Sequence, residues 1–135
     1  MKIQMLRSKL HRACVTRADI KYEGSIGIDS ELLEGVGLYP YEKVLVANLN
    51  NGQRFETYTI VAPFGSRLII LNGAAARLGT AGDRLIIMSY AWIEESLVRE
   101  GKYQPRIIRL DEHNEPVDSL QPFPAPRETA SVLGR

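Results

Sequence analysis

Four short stretches of the chain carry side chains that could do chemistry. In YEGSIGID, Gly24 precedes Ser25, so a hydroxyl lies one peptide unit from the carbonyl of a residue without a Cβ. The pair is an ordinary turn signal, or else a bond placed to be cut. In SKLHR, Lys9 and His11 share a face if the stretch is a strand. In RFETYTI, Arg54, Glu56 and Tyr58 share one face while Phe55 and Thr57 take the other. A solvated strand carries such sets without any function. Taken as chemistry, they offer cations for an anion and a phenol able to donate a proton. The fourth stretch, NGAAARLG, reads as a helix start at Asn72, Gly73, Ala74 and Ala75. Its small side chains would let the backbone approach a neighbour, and its free N–H groups could hold a carboxylate. Tight helix packing accounts for it equally well.

Other catalytic patterns fail. A nucleophile elbow needs glycine two residues before the serine, and Glu23 stands there. GVGLYP has two glycines of a dinucleotide fingerprint but Pro40 in the third place, and no phosphate-cradling lysine loop exists. His11 and His113 are too far apart in sequence for a metal-ligand spacing. The single Cys14 excludes an internal disulfide framework and reads as a small core residue. With Lys+Arg 17 against Asp+Glu 16 the net charge is +1, which gives no electrostatic footprint for nucleic acid or anionic lipid. MKIQMLRSKLHR lacks an apolar run of signal-peptide type, and nowhere do enough apolar residues follow one another to span a membrane. A cytoplasmic protein is predicted.

The elements that must position these residues are mostly strands. Alternation and β-branched content predict them near Ile3–Ser8, Arg12–Thr16, Ser25–Ile28, Lys43–Asn48, Gln53–Ala62, Leu68–Leu71, Arg84–Ala91 and Arg106–Asp111. Asn51-Gly52 predicts a hairpin between two of them. Short helices are expected after Asp29, which can cap the first, around Ala74–Leu78, and at Glu94–Glu100. Many strands with three small helices, and no internal repeat, predict one compact barrel. From Asp111 onward the chain is proline-rich and aperiodic, with Pro116, Pro122, Pro124 and Pro126. We therefore divide it into a barrel domain, 1–111, and a mobile or loosely docked tail, 112–135.

The succession SKLHRACVTRADI, YEGSIGID, NGQRFETY and NGAAARLGTAGDRLIIMSY closely resembles the aspartate 1-decarboxylase family over about Met1–Ile93. The resemblance implies a mainly β, double-psi β-barrel with a few short helices, assembled as a homotetramer with active sites between subunits. It implies an inactive proenzyme that cuts itself between Gly24 and Ser25, giving segments 1–24 and 25–135. Ser25 then becomes a covalently bound pyruvoyl group, with no metal and no pyridoxal phosphate. That group forms a Schiff base with L-aspartate, which loses carbon dioxide to give β-alanine for pantothenate, and so coenzyme A, synthesis.

By the same resemblance, Gly24, Ser25, Thr57 and Asn72 serve processing, with Thr57 assisting at the oxyanion. Gly24 would be needed for an unusual backbone geometry, so that alanine there should hinder cleavage. Tyr58 is the proton donor, and Lys9, His11, Arg54, Thr57, Asn72, Gly73, Ala74, Ala75 and Ile86 border the substrate. Thr57 and Tyr58 point oppositely in a regular strand, so either the strand bends or they act from different sides. An accessory activator of cleavage is a further possible partner. Two other readings compete: a non-catalytic double-psi barrel serving as a binding or assembly module, and a pyruvoyl decarboxylase for another amino acid.

Overall fold

The computed structural model describes residues 1–117. Eight strands form in chain order: β1 Lys2–Cys14, β2 Arg17–Asp19, β3 Ser25–Asp29, β4 Lys43–Asn48, β5 Arg54–Ala62, β6 Ile69–Asn72, β7 Arg84–Glu94 and β8 Arg106–Arg109. Helix α1 covers Ser30–Val36, α2 covers Glu95–Arg99, and a 3-10 turn covers Gly73–Arg77. The strands lie in the order β2-β6-β3-β5-β4-β7-β1-β8. Thr16, just past the end of β1, donates its amide to the Ile69 carbonyl at 2.8 Å, bringing the far side of the sheet back to β6. The result is the mainly β barrel in keeping with the double-psi class.

β3 runs through its middle, parallel to β5 and antiparallel to β6. Its five residues are all buried, so the alternation of Ile26 and Ile28 with Ser25, Gly27 and Asp29 does not separate a buried face from an exposed one. Ile26 and Ile28 pack with Leu10, Leu71, Leu85 and Ile87, and α1 closes one side with Leu32, Leu33 and Val36. Each such side chain contributes about 1.5–3 kcal/mol by burial. β3 is therefore anchored by its own side chains, independently of the peptide bond that precedes it.

Asp29 caps α1 as expected, accepting from the Glu31 amide. Gly37 ends the helix in the left-handed region, and the Leu38 amide reaches back to the Leu33 carbonyl, the pattern that satisfies orphan C-terminal carbonyls. The β4–β5 hairpin forms as predicted, with a turn longer than two residues: Gly52 donates to the Asn48 carbonyl and Asn48 to that of Gln53.

Several boundaries differ from the sequence expectation. The two strands expected at the N-terminus are one long β1, kept continuous by irregularities at Leu6/Ser8 and His11/Ala13. Arg12 there has a positive φ, and such a bulge interrupts the alternation a sequence reading relies on. Short β2 shows too few residues to have any period. Cys14 is half-buried, whereas its neighbour Ala13 lies in the core.

Beyond Asp111 the chain still makes contacts with the strands. Leu110 bridges to Pro116, and buried Asn114 accepts from the Cys14 amide and donates to the Cys14 and Arg67 carbonyls. This stretch is held by an asparagine whose partners lie far off in sequence. The expected tail from 118 to 135 lies outside the described residues.

Candidate active site

Ser25 begins β3 and is 1 % exposed. Its register partner in β6 is Asn72, whose amide donates to the Ser25 Oγ at 3.0 Å. The hydroxyl in turn donates to the Glu23 carbonyl at 3.1 Å. The oxygen beside the Gly24–Ser25 bond is therefore fixed by one donor and one acceptor. The turn after Asn72 is a 3-10 turn rather than a helix, and Asn72 makes no side-chain cap to it. The amide serves Ser25 instead.

Gly73 follows with φ 64°, and a Cβ built on it would lie 2.6 Å from the Gly24 nitrogen, 2.7 Å from its Cα and 2.8 Å from the Tyr22 carbonyl. The close backbone approach expected of this small-residue stretch thus has a target, the segment holding the Gly24–Ser25 bond. Gly24 itself differs from expectation. It is absent from the positive-φ glycines, and a Cβ there would meet nothing within 4 Å. The steric demand for glycine falls on Gly73.

β5 delivers Thr57 and Tyr58 because it changes partners. Arg54–Tyr58 pair with β4, whereas Thr59–Ala62 pair with β3, with Thr59 beside Ile26. Extending that parallel register backwards brings Tyr58 alongside Ser25 and Thr57 alongside Gly24. A cleft of about 370 Å³ opens there, lined by Gly24, Thr57, Tyr58, Ala74 and Ala75 together with Phe55, Glu56 and Leu78. The two side chains alternate, yet both border the cleft, since it opens where β5 passes from one set of pairings to the other.

Lys9, His11, Arg54 and Ile86 are not among its lining residues. They gather on the outer face of β5-β4-β7-β1, where Arg54, Ala47, Ile86 and His11 are successive register partners and Lys9 lies opposite Met88. Three strand spacings separate Arg54 from His11, about 14 Å. Burial, and then the positive charges of Lys9, Arg12, Arg109 and Arg84, push the His11 imidazole below its usual 6.5. It is therefore neutral at neutral pH, and the positive charge of this group rests with Lys9 and Arg54.

Phe55, Leu78 and Ala47 were not singled out in the sequence. Their places follow from strand register, which no local pattern reports. The Tyr41 ring lies against Tyr58 with centroids 6.4 Å apart. Among the described residues no group of acidic, histidine and cysteine side chains could hold a metal ion, and no helix is long and apolar enough to cross a membrane.

A closed mainly β barrel with a mostly apolar cleft beside a buried, hydrogen-bonded Ser25 describes a small β-barrel enzyme. The sequence model described as aspartate decarboxylase matches residues 1–117. The chain is 54% identical over 115 residues to the aspartate 1-decarboxylase of Salinibacter ruber, covering 85% of this chain and 77% of that one. It is 50% identical over 121 residues to that of Maricaulis maris, covering 90% and 98%. With that of Chlorobium chlorochromatii it is 54% identical over 116 residues, covering 86% and 88%. The chain belongs to the aspartate decarboxylase family, as the order of its motifs led us to expect.

Proposed function

We propose that this protein decarboxylates L-aspartate to β-alanine and carbon dioxide, supplying pantothenate synthesis in the cytoplasm, after cutting itself between Gly24 and Ser25. The observation that carries the reading is the setting of Ser25, in a chain of this family: a buried hydroxyl oriented by Asn72 and Glu23 beside a bond against which Gly73 is packed.

In the cleavage, the Ser25 oxygen attacks the Gly24 carbonyl carbon, and an ester replaces the amide. The Glu23 carbonyl already takes the hydroxyl hydrogen in a hydrogen bond, Asn72 holds the oxygen in place, and Thr57 offers a donor to the transient oxyanion. Elimination then removes the proton on the Ser25 Cα, breaks the bond between its Cβ and its oxygen, and frees the Gly24 carboxylate, leaving a dehydroalanine at residue 25. Uptake of water and loss of ammonia convert residue 25 to the pyruvoyl form. The site suits that group, because β3 stays anchored by Ile26, Ile28 and its two ladders once the preceding bond is cut. A pyruvoyl ketone would supply the electron sink for departure of the α-carboxylate.

The chain's own residues do the rest. Arg54 clamps the retained carboxylate through two hydrogen bonds, and Lys9 adds a point charge. His11, neutral, contributes a hydrogen bond, while Ile86 and the Asn72, Gly73, Ala74 and Ala75 segment border the substrate. Tyr58 returns a proton to the carbon that lost the carboxylate. Lys9, His11, Arg54 and Ile86 do not line the Ser25 cleft of one chain, and in this reading a second copy brings them to it. The active sites then lie between the subunits of a homotetramer. An accessory activator could accelerate the cleavage.

Denaturing intact-mass spectrometry before and after incubation, paired with carbon dioxide release from aspartate, tests the reading. Two pieces are expected, one ending at Gly24 and the other lighter by one ammonia than a serine-terminated fragment. Ser25→Ala should stay whole and inactive. An uncut chain that persists even with extract of its host added, and releases no carbon dioxide, would overturn the proposal in favour of a binding or assembly barrel. Glutamate turned over as fast as aspartate would overturn the substrate.

A further inference from the structure

Tyr41 combines an unfavourable backbone with an exposed side chain. Its φ is 68°, in the left-handed region where a bulky residue crowds its own backbone, yet it is 77 % exposed. Burial does not offset that cost. Such strain persists where the surroundings over-determine it, and it collects at functional sites.

The surroundings here are specific. The Tyr41 amide donates to the Thr59 carbonyl at 2.8 Å, the Thr59 amide donates to the Glu42 carbonyl at 3.0 Å, and the Thr59 hydroxyl donates to the Tyr39 carbonyl at 2.7 Å. The Tyr39 amide donates to the Glu42 carboxylate at 3.0 Å. That carboxylate is paired with buried Arg7, which also donates to the Gly37 carbonyl at 2.7 Å and lies 5.7 Å over the Tyr39 ring. The turn from Gly37 to Glu42 is thus fastened to Thr59, the residue next to Tyr58. At its tip the Tyr41 ring meets the Tyr58 ring at 6.4 Å between centroids, tilted by 35°, a favourable aromatic geometry. Tyr58 is 38 % exposed, and among the described residues Tyr41 is the one ring packed on it.

We propose that Tyr41 is a positioning residue for Tyr58. Its ring walls one side of the phenol and limits the rotamers open to a half-exposed side chain whose hydroxyl must return a proton to one carbon. This rests on the role proposed for Tyr58 above. Because a proton donor works only within hydrogen-bond reach of its target, small losses of orientation cost turnover rather than substrate binding.

The test uses the full chain, confirmed by mass to be cut. Tyr41→Asn removes the ring and suits the left-handed backbone, so it should not lower Tm; Tyr41→Phe keeps the ring. We expect Tyr41→Asn to lower kcat about tenfold with KM for aspartate unchanged, and Tyr41→Phe to retain wild-type turnover. Adding Tyr41→Asn to Tyr58→Phe should cost nothing more, since the two act through one group. Wild-type kcat in Tyr41→Asn beside a slow Tyr58→Phe would overturn the inference alone, as would full additivity in the double variant. Normal turnover by Tyr58→Phe would overturn the role of Tyr58 and the inference with it.

Discussion

At Ser25 the hydroxyl is held between Asn72 and the Glu23 carbonyl, next to the Gly24–Ser25 bond, and the glycine whose missing side chain lets the backbone pack there is Gly73. Gly24 has room for a side chain, whereas a methyl on Gly73 would overlap the Gly24 backbone at 2.6–2.7 Å. Gly73→Ala must push the 22–24 segment away from Ser25 and also strain a φ of 64°. We expect it to slow cleavage about a hundredfold or more, while Gly24→Ala cuts at close to the wild-type rate. Mass spectra taken through the incubation read both rates. A stalled Gly24→Ala would show that the reacting geometry needs a backbone conformation at residue 24 that the uncut state does not adopt. That Ser25 and Asn72 lie opposite one another agrees with the order of the motifs in the sequence. The weight carried by Gly73 was not legible there, because its contact joins segments remote in sequence.

Among the elements, β3 and α1 are joined at Asp29, whose carboxylate makes that junction sensitive to acid. Asp29 is buried and accepts from the amides of Glu31, Gly65 and Arg67 and from the Arg67 guanidinium, all at 2.7–3.0 Å. Burial alone would raise its pKa; those hydrogen bonds outweigh it and hold the carboxyl below its usual 3.8. The folded value thus lies below the unfolded one. The stabilisation is complete above the unfolded value and disappears as pH falls through the folded value. Asp29→Ala removes a helix cap and strands buried donors, and should cost about 3 kcal/mol in urea unfolding at neutral pH. The wild-type urea midpoint should drop as pH falls below about 5, and that drop should be smaller in Asp29→Asn. Equal acid sensitivity of the two proteins would place the labile carboxylate elsewhere. Most elements here could be read locally, since alternation, the Asn51-Gly52 turn and the Asp29 cap are short-range signals. The exchange of partners by β5 could not. It depends on which strands flank β5, and that is what brings both Thr57 and Tyr58 to Gly24.

Across the whole molecule, the residues of the proposed site fall into two groups on one chain, those that line the Ser25 cleft and those that do not. The cleavage half is built on β3, β5 and the turn after β6; the cationic half lies across β1, β7 and β4 to the start of β5. Beside the cationic half, β7 also turns Met88, Tyr90 and Trp92 outward, with Trp92 64 % exposed. Periodicity explains none of this, because an outward apolar residue breaks the alternation rule for one chain and obeys it only for an assembly. If each working site joins the Ser25 half of one copy to the Arg54 half of another, two inactive chains can repair each other. Ser25→Ala lacks the first half and Arg54→Gln the second, so each alone should be nearly inert. Produced together in equal amounts, they should recover about a quarter of wild-type carbon dioxide release, since random pairing restores one intact junction in four. Recovery should vanish when separately purified variants are mixed under conditions where subunits do not exchange. No recovery in co-produced, mass-verified mixed assemblies would mean that one chain supplies both halves, and Arg54 would then have to reach the Ser25 cleft of its own barrel.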